Sequence, residues 1–480
     1  MVIAQQQLQI QIQQEIKNCS VKLSEVIERG SRLDASYYDV QGKKIRQFVE
    51  NCTLSKKSLN HPKGFANIYY MDRFKRMFTE EGIPIYTSSQ ILESIPKAEK
   101  FISSKTKADL EYLTLKNGQI VMTRSGTIGK IALVGRTLNG KVFSDDLLRI
   151  ECYDKKDVGY LYAFMKSKIG QRLITTNNYG SVITHIEPEH FTNTAIPEPN
   201  DKFKALISEQ IWKSIELRDG ANELIQKAIN LLEQKFGIAS IKELKPKYFI
   251  SSDIKNYETK ISKLDLRFDA SYHTPLVDEI INQIKKLGAE IVTISDKRVS
   301  KEIILPGRFK RRYVEEEYGI PFLGGKDIMQ FDPVEIKYLS LKEHGKRIEK
   351  ELLIQENMVL ITRSGTVGNV FIVPKHLEKS IVSEHVIRII PSDTINPGYV
   401  YAFLASDYGY ELIIRNKYGS VVDELDDHQV GDIVIPLLSP KIMNQIGDMI
   451  LEANKKRTEA YLLEKESIKQ VEELIKNNQK

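Results

Sequence analysis

Three short stretches hold side chains whose types and spacing suit chemistry, and each occurs twice. R-F-K-R at 73–76 returns at 308–311, the second time inside P-G-R-F-K-R-R-Y at 306–313. Cations around one aromatic can grip phosphate oxygens while Phe74 or Phe309 packs or stacks. The same pattern also suits a solvated charged turn. T-R-S-G-T-I-G at 123–129 returns as T-R-S-G-T-V-G at 362–368. It is no P-loop: Gly126 and Gly129 enclose too few residues for G-x-x-x-x-G-K-[S/T], and Asn369 replaces Lys130 in the second copy. It reads as a tight turn between strands, its glycines permitting φ > 0, with Arg124/Arg363, Ser125/Ser364 and Thr127/Thr366 at the edge. Those side chains either contact DNA or brace the turn. Y-G-S-V at 179–182 and 418–421 sets Ser181 and Ser420 beside an aromatic and a turn glycine, as packing or as contact. The candidate DNA-binding residues are Arg73, Lys75, Arg76, Arg124, Ser125, Thr127 and Ser181, then Arg308, Lys310, Arg311, Arg312, Arg363, Ser364, Thr366 and Ser420.

Metal and catalytic constellations do not survive comparison of the two copies. His185 and His190 are poorly spaced for zinc on one helix face, and Glu424 and Gln429 stand at the equivalent positions. Asp145, Asp146 and Glu151 suggest a nuclease carboxylate set, but their equivalents are Glu384, His385 and Ile390. N-P-P-Y, D-P-P-Y, G-x-G-x-x-G, H-E-x-x-H and G-x-S-x-G motifs are absent. The expectation is a chain with no catalytic residues, metal or cofactor of its own.

The repetition extends far beyond these motifs. At an offset of 239 (362 − 123), G-Y-L-Y-A-F at 159–164 meets G-Y-V-Y-A-F at 398–403, and Ser144 and Arg149 meet Ser383 and Arg388. Upstream the offset is 235 (308 − 73), pairing R-L-D-A-S-Y at 32–37 with R-F-D-A-S-Y at 267–272. This is a tandem duplication of a domain-sized unit, too long for a solenoid repeat. Two sibling domains suit a partner with two similar halves, as duplex DNA is.

At roughly 150 residues per domain, 480 residues accommodate two copies plus connecting elements. A hydrophobic content of 41% supports real cores, while a net charge of +6 points only weakly to nucleic acid. Cys19, Cys52 and Cys152 form no C-x-x-C pair, which argues against a disulfide or zinc framework. The Gln-rich start lacks the charged and apolar regions of a secretory signal. No apolar run approaches the ~20 residues that span a bilayer. A soluble cytoplasmic protein is expected.

The elements that must position the motifs follow the same repetition. Segments 120–122 and 131–134 read as strands flanking the turn, and 159–173 as a helix with Tyr160, Ala163, Phe164 and Ile169 near one face. Past the breaks I-P-E-P at 196–199 and I-P-L-L at 435–438, helices are expected over about 202–236 and 441–476. Their apolar stripes are Phe203, Leu206, Ile211, Ile215, Leu224, Ala228 and Leu231, then Ile442, Ile446, Met449, Ala453, Ala460, Leu463, Val471 and Leu474. Each helix would reach roughly 50 Å, so antiparallel pairing into a coiled coil is expected to bury both stripes. Gly220 is a place for a local break in the first.

These residues carry a likeness. Two variable domains, each with R-S-G-T-x-G, a later G-S-x-x-x-x-[I/L] stretch, I-P and a long helix, resemble the specificity subunit of type I restriction–modification systems. R-F-K-R followed by G-I-P-F-L-G-G-K-D-I, ending at Ile328, looks like the start of such a target-recognition domain; the first copy keeps G-I-P at 82–84 and then diverges. The run before each helix departs from the usual P-P-L-x-E-Q, reading P-E-P-N at 197–200 and P-L-L-S-P at 436–440. The resemblance implies an α+β fold of two tandem α/β target-recognition domains, separated by two long helices paired as an antiparallel coiled coil with pseudo-twofold symmetry. Its divisions are an N-terminal segment at 1–19, recognition domains at 20–199 and 262–438, spacer helices at 200–237 and 439–480, and a connector at 238–261. It further implies that each domain reads half of a bipartite DNA site while the helices set the gap. They also dock two methyltransferase subunits, which carry S-adenosylmethionine. A restriction subunit using ATP and Mg joins in some assemblies. The chain itself would be non-catalytic. A stand-alone DNA-binding regulator and the recognition portion of a fused methyltransferase–endonuclease are the alternatives.

Positions identical in both copies should brace the fold or touch phosphate, which every sequence shares. Positions that differ at matching places should read bases: 86–107 against 323–346, and 185–191 against 424–430.

Overall fold

The computed structural model describes residues 20–28, 40–175, 185–192, 194–250, 253–254, 256–264, 267–419 and 421–480. Ser181, Ser420, the Gln-rich start and R-L-D-A-S-Y at 32–37 lie outside the described residues. The chain divides into two compact units. One contains residues up to Ile91, Ala98–Trp212 and Glu464–Lys480; the other contains Leu92–Lys97 and Lys213–Leu463.

Each copy builds the same mixed α+β arrangement, strand for strand. In the first, an antiparallel four-stranded sheet runs in the order Ala66–Tyr69, Leu147–Cys152, Ile120–Thr123, Ile131–Leu133. Its counterpart runs Ser300–Ile304, Val386–Pro391, Val359–Thr362, Val370–Ile372. A second sheet orders Phe78–Thr79, Lys100–Ile102, Ile83–Tyr86 and Val142–Phe143, the last pair parallel. The other copy repeats it with Tyr313–Val314, Lys337–Ser340, Gly319–Leu323 and Ile381–Val382, again ending in a parallel pair. The I-P breaks become strands: Ala195–Glu198 pairs with Ser55–Ser58, and Val434–Leu437 with Glu290–Thr293. The central strands Ile120–Thr123 and Val359–Thr362 are buried throughout, as their unbroken apolar sequences require.

The segment expected as one helix over 159–173 is two, Val158–Lys166 and Lys168–Thr175, with the same break between Pro397–Ala405 and Asp407–Ile414. Ser167 and Ser406 take extended backbone at the break, and each hydroxyl bonds the Phe164 or Phe403 carbonyl at 2.6 Å. Local side-chain bonding of this kind competes with helix continuation.

The long helices are Asp201–Phe236 and Pro440–Asn477, of 36 and 38 residues. Asn200 supplies the start of the first, its side-chain oxygen accepting from the Phe203 N–H at 2.9 Å. Gly220 does not interrupt it. The buried stripe of the first helix differs from the sequence expectation: Leu206 is exposed, and Ile207, Ile211, Leu217, Ala221, Ile225, Ala228, Leu232 and Phe236 are buried. Apolar residues occupy both edges of a broad stripe, and the partner surface selects which edge closes. In the second helix the buried apolar set is Ile446, Ile450, Ala453, Ala460, Ile468, Val471 and Ile475. Within the second unit the two helices run antiparallel, the Ser214 hydroxyl bonding the Ala460 carbonyl at 2.8 Å and Arg457 meeting Asn222 at 3.2 Å. Within the first unit Ser467 bonds Gln210 at 2.9 Å, and the buried Glu464 carboxylate takes Lys166 at 2.5 Å.

The connector after the first long helix is ordered by a helix, Ile241–Tyr248, whose Ser240 and Glu243 form a capping box. Part of the stretch expected to hold base readers does other work: Leu92 and Ser94 exchange backbone hydrogen bonds with Phe331 and Met329 in the second unit. There Arg218 lies 3.6 Å from the Phe331 ring centroid, and His376 stacks on Tyr461 at 4.5 Å.

Two expectations follow. A Cβ at Gly398 would lie 2.3 Å from the Gly447 carbonyl oxygen, whereas one at Gly345, also helical, meets nothing within 4 Å. Gly398→Ala should cost about 1–3 kcal/mol by overpacking; Gly345→Ala should be neutral or slightly stabilising, both read from urea unfolding midpoints. Burial among Arg218, Arg457, Phe331 and Tyr461 holds the His376 imidazole down at about 4. The unfolded chain binds that proton first, so stability is complete above about 6.5 and drains as pH falls toward 4. His376→Phe should lose less stability between pH 7.5 and pH 5 than the parent, on the order of 2 kcal/mol less.

Candidate nucleic-acid interface

T-R-S-G-T-x-G forms the same turn in both copies. Gly126 and Gly129 have φ of 69° and 77°, Gly365 and Gly368 75° and 93°, which only glycine adopts without strain. The Thr123 hydroxyl donates to the Thr127 carbonyl and accepts from the Lys130 N–H. Thr362 does the same with Thr366 and Asn369. The threonine thus braces, while Thr127 and Thr366 are left exposed at the tip.

Beside each turn a later segment is pinned at one register. Ile186 donates its N–H to the Arg124 carbonyl at 3.0 Å, and Leu425 to the Arg363 carbonyl at 2.9 Å. Antiparallel bridges then place His185 opposite Ser125 and Glu424 opposite Ser364. Arg124 pairs with Glu187 at 2.5 Å and lies 3.9 Å over the Tyr70 ring; Arg363 pairs with Glu424 at 2.6 Å. Burial, followed by the Glu187 charge, raises the Tyr70 phenol above its ordinary value. Burial opposes the charge on Arg124, and the Glu187 carboxylate outweighs that, lifting its pKa. Both turn arginines are about one-tenth exposed, so their main work is bracing.

R-F-K-R lies in the segment between the two sheets of each copy. Phe74 packs on the Ile85, Ile102 and Leu113 cluster, and Phe309 on Phe322, Leu339 and Ile348, so both aromatics anchor the segment rather than offering a free face. The cations then divide by role. Arg76 pairs with the buried Asp145, and Arg311 with the buried Glu384 at 2.7 Å. Those acids sit near Arg149 and Arg388, which are fully buried. Arg149 bonds the Leu147 and Leu113 carbonyls at 3.1 Å, and Arg388 the Val386 carbonyl at 2.7 Å. Burial lowers the Arg149 pKa and pushes Arg388 down to about 9. Arg73, Lys75, Lys310 and Arg312 are exposed; Arg312 pairs with Glu343 at 2.8 Å, and Arg308, 69% exposed, reaches Glu424 at 2.7 Å.

In the first copy Tyr70, Asp72, Arg73, Arg124 and His185 line a cleft of about 270 Å³. The structure therefore brings Arg73 and Arg124 to one cleft, and joins Arg308 to Arg363 through Glu424. Glu187, which pairs with Arg124, and Glu424 are absent from the expected set. Their signal in the sequence was weak, because Arg124 and Arg363 take their carboxylates from positions that do not correspond at the offset of 239. Among the described residues, no three His, Cys, Asp or Glu side chains group as a metal site.

Residues 302–473 match the family model described as type I restriction modification DNA specificity domain. That match lies within the second copy. Solved structures similar to the whole chain include a type I restriction–modification S subunit from M. genitalium, at 13% identity over 90% of this chain and 97% of that one, with a TM-score of 0.32. The HsdS subunit from Thermoanaerobacter tengcongensis is 12% identical over 87% and 98%, with a TM-score of 0.27. At those scores neither superposition carries an argument. The large ribosomal subunit protein uL3c of Arabidopsis thaliana is 26% identical over 153 residues, 32% of this chain; the chain spans 55% of that relative's length, and the likeness assigns no family.

The division of the cations is measurable. Arg311→Ala leaves the Glu384 carboxylate, 5% exposed, without its partner; about 3–5 kcal/mol of stability should be lost. Arg312→Ala, at a site 68% exposed, should change it by less than about 1 kcal/mol. Denaturant titrations of both variants provide the comparison.

Proposed function

We propose that the chain is the DNA-recognition subunit of a type I restriction–modification complex, each copy reading half of a bipartite site. One observation carries this: the half matching the specificity-domain family is repeated by the other half, sheet for sheet and turn for turn. Exposed Arg73, Lys75, Arg308, Lys310 and Arg312 supply a sequence-independent phosphate grip, with Thr127 and Thr366 at the turn tips. Ser181 and Ser420 remain proposals on sequence alone.

The long helices, continuous over 36 and 38 residues, suit a spacer that sets the gap between half-sites. Methyltransferase subunits docking on the complex would supply S-adenosylmethionine chemistry and flip the adenine, leaving this chain to hold the flanking duplex. A restriction subunit with ATP and Mg would extend the same assembly. Such work places the chain in the cytoplasm; among the described residues no helix is long and apolar enough to cross a membrane.

Methylome sequencing of the host with and without this gene tests the assignment: loss of adenine methylation at a two-part, gapped motif is expected, and an unchanged methylome overturns it. Arg73→Ala and Arg308→Ala should each weaken binding to all duplexes and flatten the dependence of log K on log salt by about one unit of slope. A changed sequence preference with an intact salt slope contradicts their phosphate role.

A further inference from the structure

Beside the serine of each turn stand one acid and one histidine, in opposite order. In the first copy the Ser125 hydroxyl donates to Asp146, and His185 lies across the bridge. In the second, Ser364 meets the His385 Nδ1 at 2.7 Å, and Glu424 lies across the bridge. Positions 146 and 385 correspond at the offset of 239, as do 185 and 424. The backbone, the serine and the turn arginine are the same in both; only the places of carboxylate and imidazole are exchanged.

We propose that this acid–histidine pair is the specificity-determining element of each copy, its order setting the hydrogen-bond polarity offered to a base edge. The inference rests on the DNA-reading assignment above. Each Glu424 oxygen takes one arginine, Arg308 or Arg363, and a carboxylate retains further lone pairs. It therefore accepts from an amino-bearing edge, cytosine N4 or adenine N6. At the same register the first copy offers His185 with Arg73 in the cleft, where Asp72 and Tyr70 replace Gly307 and Leu305. An imidazole donor there matches an acceptor edge such as guanine O6 or N7. Both places are reachable: His185 opens on the cleft, and the residues leading to Glu424 include Val421 and Val422, 94% and 54% exposed.

Bracing alone would also use an acid and a histidine, so the test exchanges them while retaining both. The double variant Asp146→His/His185→Glu gives the first copy the arrangement already used by the second. Methylome sequencing of a host carrying this allele should show one base pair of the first half-site switching preference by about tenfold or more, with the second half-site unchanged. Glu424→His/His385→Asp should do the reverse. Thermal melting within a few degrees of the parent confirms folding; should one double variant fail to fold, the other carries the test. Wild-type preferences at every position, or equal loss on all sequences, overturn the proposal. If the parent allele itself directs no gapped methylation, the functional assignment falls along with it.

Discussion

Glycine at 159 and 398 brings a short helix so close to a long one that no side chain fits between them. A Cβ at Gly159 would sit 2.4 Å from the Ser208 Cα, and one at Gly398 2.3 Å from the Gly447 carbonyl oxygen. The next residue fixes the same helix from its other side: Tyr160 and Tyr399 donate to the Pro197 and Pro436 carbonyls at 2.5 and 2.6 Å, fully buried. Those prolines lie in the strands that lead directly into the long helices. Short helix, strand and long helix are thereby joined by contacts that tolerate little slack, since a buried hydroxyl without its acceptor costs about 1–3 kcal/mol. Each sheet inherits its position from this junction, and so do the turn and basic segment it carries.

A second constraint governs charge. Burying Arg149 and Arg388 is costly unless their donors are met, and backbone carbonyls meet them, with Asp145 and Glu384 nearby. Each of those acids in turn captures Arg76 or Arg311 from the basic segment. What remains exposed is the outer part of R-F-K-R. Net charge overstates the cationic surface, because Arg149 and Arg388 count toward it yet are fully buried. Electrostatic attraction by the exposed cations remains long-ranged and screened by salt.

The duplication made most of the fold legible. Identity between the copies marked Gly159 and Tyr160 with their equivalents, and each has a packing or hydrogen-bonding role. Helix existence was legible from periodicity, but not which edge of the stripe closes: Leu206 and Ile207 are neighbours, and only packing decides that Ile207 is buried. The Ser167 break was hidden because its signal is one hydroxyl returning to a carbonyl within an apolar run. The capping box of Ser240 and Glu243 starts a helix in a segment expected only as a connector. Within the site, the arginines were visible and their carboxylate partners were not, since an ion pair across 63 residues leaves no local pattern.

Where two copies share a scaffold this closely, a difference between them has an unusually direct meaning. The turns at 123–129 and 362–368 make the same threonine hydrogen bonds, carry the same positive-φ glycines, and receive the later segment through the same arginine carbonyl. Backbone strain and register are therefore common to both and cancel in the comparison. At these two positions each copy holds one acid and one histidine, with places exchanged. A purely structural demand for one acid at the serine would be met by Asp146 in the first copy, yet the second puts His385 there and meets Ser364 equally well. The serine does not dictate the order, so the order is free to answer to something outside the fold. The two halves of an asymmetric DNA site impose such a demand, because one scaffold must there present different donors and acceptors at equivalent positions.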